Sequence, residues 1–300
     1  MYAGEEMPTP NRTDAELEAT HPVIRALHRS RIGKAMSKPE ARQLVLPTYL
    51  GMIKQIDDHL GRLFSEMDRL GRSKDTLIVF TSDHGEYMGD HWMGEKDWIN
   101  EEVVRVPMIV VDPRSQADVT RGTVSNELVE AIDLVPTFVE ALGGENDSRT
   151  QWLEGESLVP LLRGAHGTER DFVVCEADWG FLEMSHYVGD LNEPRKRRAT
   201  MLRNDRYKYV LSEIGPNLLY DLEDDPDEQN DCISDPALQS VVSELHEQLF
   251  SWFRSRRHDT TVTDQMITAN SEPGSTAKRC IPIGYWDEEE LAAGKRGELY

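Results

Sequence analysis

Four side chains able to hold a cation, Asp83, His84, Asp90 and His91, fall within nine residues of one another. They lie in the stretch TSDHGEYMGDHWMGEKDWINEEVVR at 81–105. Oxygen and imidazole donors together suit Mn, Mg, Ca or Zn, and the absence of clustered cysteines argues against a structural zinc. The cluster follows the apolar run 77–80, so it sits just beyond the carboxyl end of an expected strand. Open α/β sheets place ligand sites there. Neighbouring side chains on a regular strand point to opposite faces. For Asp83 and His84 to share one ion, the backbone must leave strand geometry, and Gly85 would permit that. Spacing alone does not overturn a plainer reading, a polar turn after a strand.

The elements that must position this cluster are legible to different degrees. Residues 47–71 carry Leu50, Ile53, Ile56, Leu60, Leu63, Phe64, Met67 and Leu70 at steps of three and four, which predicts a helix with Gly71 as its stop. The run 77–80 then reads as a buried strand with both faces covered. A second strand signal spans 103–111 and ends at Pro113. Residues 133–143 predict a helix with Asp133 as N-cap, Pro136 in the first turn and Gly143 at the end. Residues 1–40 are expected to be irregular, broken by Pro8, Pro10, Pro22 and Pro39. Beyond about residue 168, short strand signals separated by turns predict an antiparallel meander. Residues 236–258 then predict a helix with Leu238, Val241, Val242, Leu245, Leu249 and Phe253 on one face.

Composition narrows the function classes. The 300 residues hold 33 basic and 55 acidic side chains, a net charge of −22. Such a field repels phosphate backbones and anionic lipid, so neither nucleic acid nor a membrane surface is an expected partner. No apolar run approaches a membrane-spanning length, and the first residues hold no signal-peptide core. Three scattered cysteines, Cys175, Cys232 and Cys280, do not suggest a disulfide framework, and a reducing cytoplasm is the expected compartment.

The text LIVFTSDHGEYMGDHWMGEK, followed by VRVPMIVVDP, resembles the sulfatase family of the alkaline-phosphatase superfamily, nearest its bacterial phosphonate monoester hydrolase and arylsulfatase-like members. VEAIDLVPTFVEALGG, GESLVPLL and RYKYVLSEIGPNLLYDLEDDPDEQND match further family segments, in order, over most of residues 45–235. The resemblance implies an α/β fold with an alkaline-phosphatase-like mixed sheet flanked by helices. A smaller antiparallel α+β subdomain follows, and the N-terminal part of the family fold is absent. The expected division is 1–165 for the catalytic-domain portion, 166–258 for the small subdomain and 259–300 for a C-terminal arm that packs on a neighbour. By the same resemblance, Asp83 and His84 are metal ligands for Mn, Ca or Mg. Lys96, thirteen residues after Asp83, is the catalytic and substrate-binding cation; without the family context it would read as a surface lysine. Asp90 and His91 are read as second-shell or loop-structuring groups. Arg105 is read as a brace against Glu101 or Glu102. Trp92 and Trp98 either wall a pocket or pack in the interior.

A family nucleophile motif, C/S-x-P-x-R, whose Cys or Ser becomes formylglycine, has no counterpart here. CIPIG at Cys280 puts Gly284 where Arg is needed and lies on the wrong side of the metal loop. The family's early Asp pair and leaving-group His are also unmatched; His21 and His28 stand in other contexts. The implied function is a metal-dependent hydrolase of sulfate or phosphonate esters, present as a C-terminal portion and inactive alone, with a homo-oligomer expected for the complete enzyme. The alternative is a non-catalytic scaffold or binding module built on the same half of the fold.

Overall fold

The computed structural model describes residues 2, 4–18, 21–144, 153–165, 170–179 and 198–256. Three helices open it: α1 (Pro22–Arg29), α2 (Arg31–Met36) and the long α3 (Pro39–Arg69). Sequence reasoning expected irregular chain over most of this segment. Two of the four prolines that prompted it, Pro22 and Pro39, occupy the first turns of α1 and α3, where a missing amide hydrogen costs nothing and a fixed φ favours the helix. Pro22 and Pro39 therefore start helices rather than break them. Gly71, at φ 70, turns the chain out of α3 as expected.

Next come β1 (Ile78–Thr81), α4 (Glu101–Val104) and β2 (Met108–Val111). β1 and β2 pair antiparallel, with Phe80 opposite Ile109, in a two-stranded ribbon among the described residues. The anticipated burial of this strand on both faces is not met: Phe80, Ile109 and Val111, on one face, are exposed. Helices α5 (Leu134–Ala141) and α6 (Val159–Leu162) follow. Asp133 precedes α5, but its side chain does not cap the helix. The buried carboxylate instead takes both Arg170 Nη1 and Nη2, at 2.6 and 2.7 Å, and the amides of Glu130 and Glu156. A bidentate guanidinium is a stronger partner than a helix amide, and it ties α5 to the chain entering the next strand.

That strand begins the meander β3 (Val173–Asp178), β4 (Arg198–Arg203), β5 (Tyr207–Ser212) and β6 (Leu218–Asp221), each antiparallel to its neighbour. Alternation sorts its side chains. Met201, Val210, Leu218 and Tyr220 join Val23, Leu27, Tyr87, Trp98 and Val103 in one core. Leu202, Tyr209 and Leu219 face the opposite way, onto Leu245 and Leu249 of α7 (Gln239–Ser255). A sheet apolar on both faces thus has the 85–104 segment and α1 on one side and α7 on the other. The fold is mixed α/β, as expected. Residues 259–300, including Cys280 and the expected arm, lie outside the described residues.

Candidate active site

β1 stops at Thr81, and the chain leaves it as an open loop, so Asp83 and His84 lie just past the strand's carboxyl end. The local turn is self-made: Ser82 Oγ donates to the His84 carbonyl at 2.8 Å, and the His84 amide donates to Asp83 Oδ1 at 3.1 Å. His84 Nδ1 donates to the Gly85 carbonyl at 2.8 Å. In a neutral ring that leaves Nε2 as the lone-pair nitrogen, 3.6 Å from Asp83 Oδ2. Asp83 is 86% exposed. Backbone amides, together with the charges of His84 and Lys96, hold its carboxyl below the usual range. Lys96 is itself exposed.

Gly85 serves this turn differently from the expectation. It is not in the left-handed region. Its amide donates to the Val103 carbonyl at 2.7 Å, and a Cβ there would sit 1.9 Å from the Glu102 carbonyl oxygen. Glycine is required because α4 approaches so closely.

Between Gly85 and Lys96 the loop takes an unusual path. Met88, His91, Trp92 and Glu95 all have positive φ, between 48 and 61°. Each such residue costs about 1–3 kcal/mol and persists only where its surroundings over-determine it. The surroundings here are largely the segment 11–16. The Asn11 amide donates to Asp90 Oδ1 at 2.9 Å, and the Asn11 carbonyl accepts from the His91 amide at 2.7 Å. Arg12 donates to the Gly89 carbonyl and lies over the Trp92 ring, while Trp92 Nε1 donates to the Thr13 carbonyl. His91 is buried between two carboxylates, with Nδ1 2.5 Å from Glu16 Oε1 and Nε2 3.3 Å from Glu102 Oε2. From inside the loop, Glu86 Oε1 accepts the Glu95 amide at 2.7 Å.

Asp83 and His84 thus lie side by side at an open strand end, and Lys96 is an exposed cation at the far end of the same loop. Asp90 and His91 are turned into the loop's interior and are occupied by protein groups. Arg105 is exposed and does not brace the loop: Glu101 pairs with Lys208 at 2.8 Å, and Glu102 serves His91 and Asn11. Trp98 is packed against Trp179 and His21 rather than walling a pocket. Sequence reasoning missed Asn11, Glu16 and Glu102 as the loop's partners. It also missed Lys208, which is fully buried with Glu228 at 2.7 Å behind α4. Lys208 stands in a family-matching segment and Glu102 in the 81–105 stretch, but only the long-range contacts reveal what they hold.

Solved structures place this architecture. The chain superposes on the phosphonate monoester hydrolases of Silicibacter pomeroyi (TM-score 0.74, 26% identity, 87% of this chain, 53% of that one) and Agrobacterium radiobacter (TM-score 0.74, 29%, 87% and 54%). It is an alkaline-phosphatase-like α/β protein. More narrowly, the chain belongs to the sulfatase family: the Sulfatase profile matches residues 5–144, and that of the N-sulphoglucosamine sulphohydrolase C-terminal region matches 89–255. Among characterised relatives, the multifunctional alkaline phosphatase superfamily protein PehA of Trinickia caryophylli is 33% identical over 282 residues, 88% of this chain and 53% of that protein. The arylsulfatase of Clostridium perfringens is 26% identical over 284 residues, 93% and 53%. This chain therefore spans about half the length of the relatives it matches.

Sulfatases are generally metal-dependent, and the donors present fit such an ion in part. A carboxylate and an imidazole nitrogen with a free lone pair are both accessible at one strand end. Among the described residues, no group of three or more His, Cys, Asp or Glu side chains is arranged to hold a metal ion. Nor is any helix of the described residues long and apolar enough to cross a membrane.

Proposed function

We propose that this chain supplies one part of the active site of a metal-dependent hydrolase of sulfate or phosphonate esters. In this reading Asp83 Oδ2 and His84 Nε2 hold a divalent ion, Mn, Ca or Mg, and Lys96 receives the non-bridging oxygens of the ester. The observation that carries it is the pairing of an accessible carboxylate with a histidine whose other nitrogen is fixed on the Gly85 carbonyl. That carbonyl bond sets the ligand's tautomer and orientation. A bound divalent ion would act as a Lewis acid on the ester oxygens. Lys96 adds a compact, permanent charge where negative charge grows in the transition state. The Glu16–His91–Glu102 clasp keeps the loop between Gly85 and Lys96 from relaxing.

Two adjacent donors bind a hard cation weakly, because water must fill the other positions. Activated aryl sulfate and aryl phosphonate, with Mn added, should therefore not be turned over by residues 1–300 alone. Mn titration followed by electron paramagnetic resonance should show weak binding that is lost in Asp83→Ala and in His84→Ala and kept in Lys96→Ala. Binding indifferent to both ligand substitutions would refute the site and favour the non-catalytic scaffold. Metal-dependent turnover by the isolated chain would refute its being only part of an active site.

A further inference from the structure

A cleft of about 270 Å³ opens between the chain leading into α1, the loop at His91 and Met93, and β6 with residues 228–231 beyond it. Asp83, His84 and Lys96 are not among its lining residues. Its charge is one-sided. The carboxylates of Glu16, Glu18, Glu228 and Asp231 line it, while His91 is its cation. Glu16 is matched by His91, and Glu228 by Lys208. His91 is in turn shared with Glu102. Glu18 and Asp231 have no ion pair among the described residues. Asp231 Oδ1 accepts the amides of Leu219 and Ile233, each at 3.0 Å, which leaves Oδ2 open. Two unmatched carboxylates in a chain of net charge −22 draw a cation and repel an anion.

Carboxylates alone do not define a ligand, but two buried side chains add to them. Tyr220 is 6% exposed and Asn100 4%, and both line the cleft. The Tyr220 hydroxyl makes no hydrogen bond among the described residues. Asn100 Oδ1 accepts from the Tyr87 hydroxyl at 2.8 Å, and Asn100 Nδ2 donates to nothing among them. Neither free atom is sealed off. Since both residues are otherwise buried, the cleft is where each is open. A phenol hydroxyl can donate or accept, whereas an amide nitrogen only donates. The occupant must therefore offer an acceptor as well as a positive charge. Ile24, Met93 and Leu218 give the same cleft an apolar wall for a short carbon chain.

We infer that this cleft binds a small organic cation that also carries hydroxyl groups, an amino alcohol. Its ammonium is drawn to the carboxylates of Glu18 and Asp231. One hydroxyl oxygen accepts from Asn100 Nδ2, and another exchanges a hydrogen bond with Tyr220. A metal ion fits less well. No group of three or more His, Cys, Asp or Glu side chains among the described residues is arranged to hold one, and the Asn100 amide hydrogens would oppose it.

The test is saturation-transfer NMR on the 300-residue chain near neutral pH, with serinol, an amino diol, as the probe. Glycerol keeps the hydroxyls without the charge, and isopropylammonium keeps the charge without the hydroxyls. Serinol should bind more tightly than either. Asp231→Asn and Glu18→Gln should each weaken it roughly tenfold, as expected for a charge-assisted hydrogen bond. Tyr220→Phe should weaken it about fivefold. That substitution leaves the net charge untouched and removes a hydroxyl with no partner in the protein, so circular dichroism should not change. Glu40→Gln, on an exposed carboxylate outside the cleft, should leave binding as it was. No saturation transfer from serinol overturns the inference, as does equal binding of glycerol or of isopropylammonium. Binding that ignores Tyr220→Phe and Asp231→Asn, or that falls equally in Glu40→Gln, would trace it to the general field of the chain and overturn the cleft.

Discussion

His91 is held as a cation in a place where burial alone would strip its proton. Desolvation pulls its pKa down, and contacts with Glu102 and Glu16 more than reverse that, lifting it to about 10. Removing the imidazolium leaves two carboxylates facing each other with little water to separate them. Breaking a buried pair by deleting one partner costs about 3–5 kcal/mol, so His91→Ala should lose stability in that range by urea unfolding. Glu102→Gln alone, which leaves Glu16 as counter-charge, should lose less. Equal, near-zero losses in both would mean the clasp is not an energetic unit. Sequence reading singled out Asp83 and His84 by their place after a strand and made them ligands only through the family resemblance. It placed Asp90 and His91 in a loop-structuring role but could not name their partners. Asn11 and Glu16 lie 75 or more positions from the groups they hold, and nothing in their residue types announces that.

At the scale of elements, α4 is fixed to the meander by charge as well as by packing. Lys208 on β5 is fully buried and reaches Glu101, Glu228 and the Ile99 carbonyl. Burial raises the Glu228 carboxyl, while Lys208 and the Glu101 amide draw it back. Lys208→Met should destabilise by about 3–5 kcal/mol, because Glu228 is left without its cation. Adding Glu228→Gln should recover a substantial part of the loss. The check is a double-mutant cycle by denaturant titration; a strictly additive result would deny the coupling. The meander and α7 were readable in advance, the meander from short apolar runs separated by turn signals and α7 from a 3.6 period such as Leu245–Leu249. The helices before α3 were not, since a proline that opens a helix and one that ends it look alike until the following turn is seen. The lone ribbon was likewise read as fully buried, because an apolar run reports what a strand needs and not whether its cover is present.

For the molecule as a whole, two buried histidines oppose each other in pH. Burial drives His21 down to about 4, so it stays neutral when folded while the unfolded chain takes up a proton below about pH 6.5. Its effect is a loss of stability as pH falls from 6.5 towards 4. His91, raised to about 10, contributes fully below about pH 6.5, and its contribution is lost as pH rises through 10. Stability should therefore peak near neutrality, with the alkaline slope reduced in His91→Gln and the acid slope reduced in His21→Gln. Urea midpoints from pH 4 to 10 would show this; an unchanged alkaline slope in His91→Gln would contradict it.

Asn11 is a knot between parts of the chain made at very different times. Its backbone holds Asp90 and His91, its amide nitrogen reaches Glu102, and its side-chain oxygen accepts from Gln229 at 2.5 Å. On a ribosome, the first of these partners emerges some eighty residues after Asn11 and the last more than two hundred after it. The Asn11 knot is therefore complete only once most of the chain has been synthesised. The loop is thus fastened in two stages: its clasp with Asn11, Glu16 and Glu102 needs only the chain up to residue 102, while the tie through Gln229 comes much later.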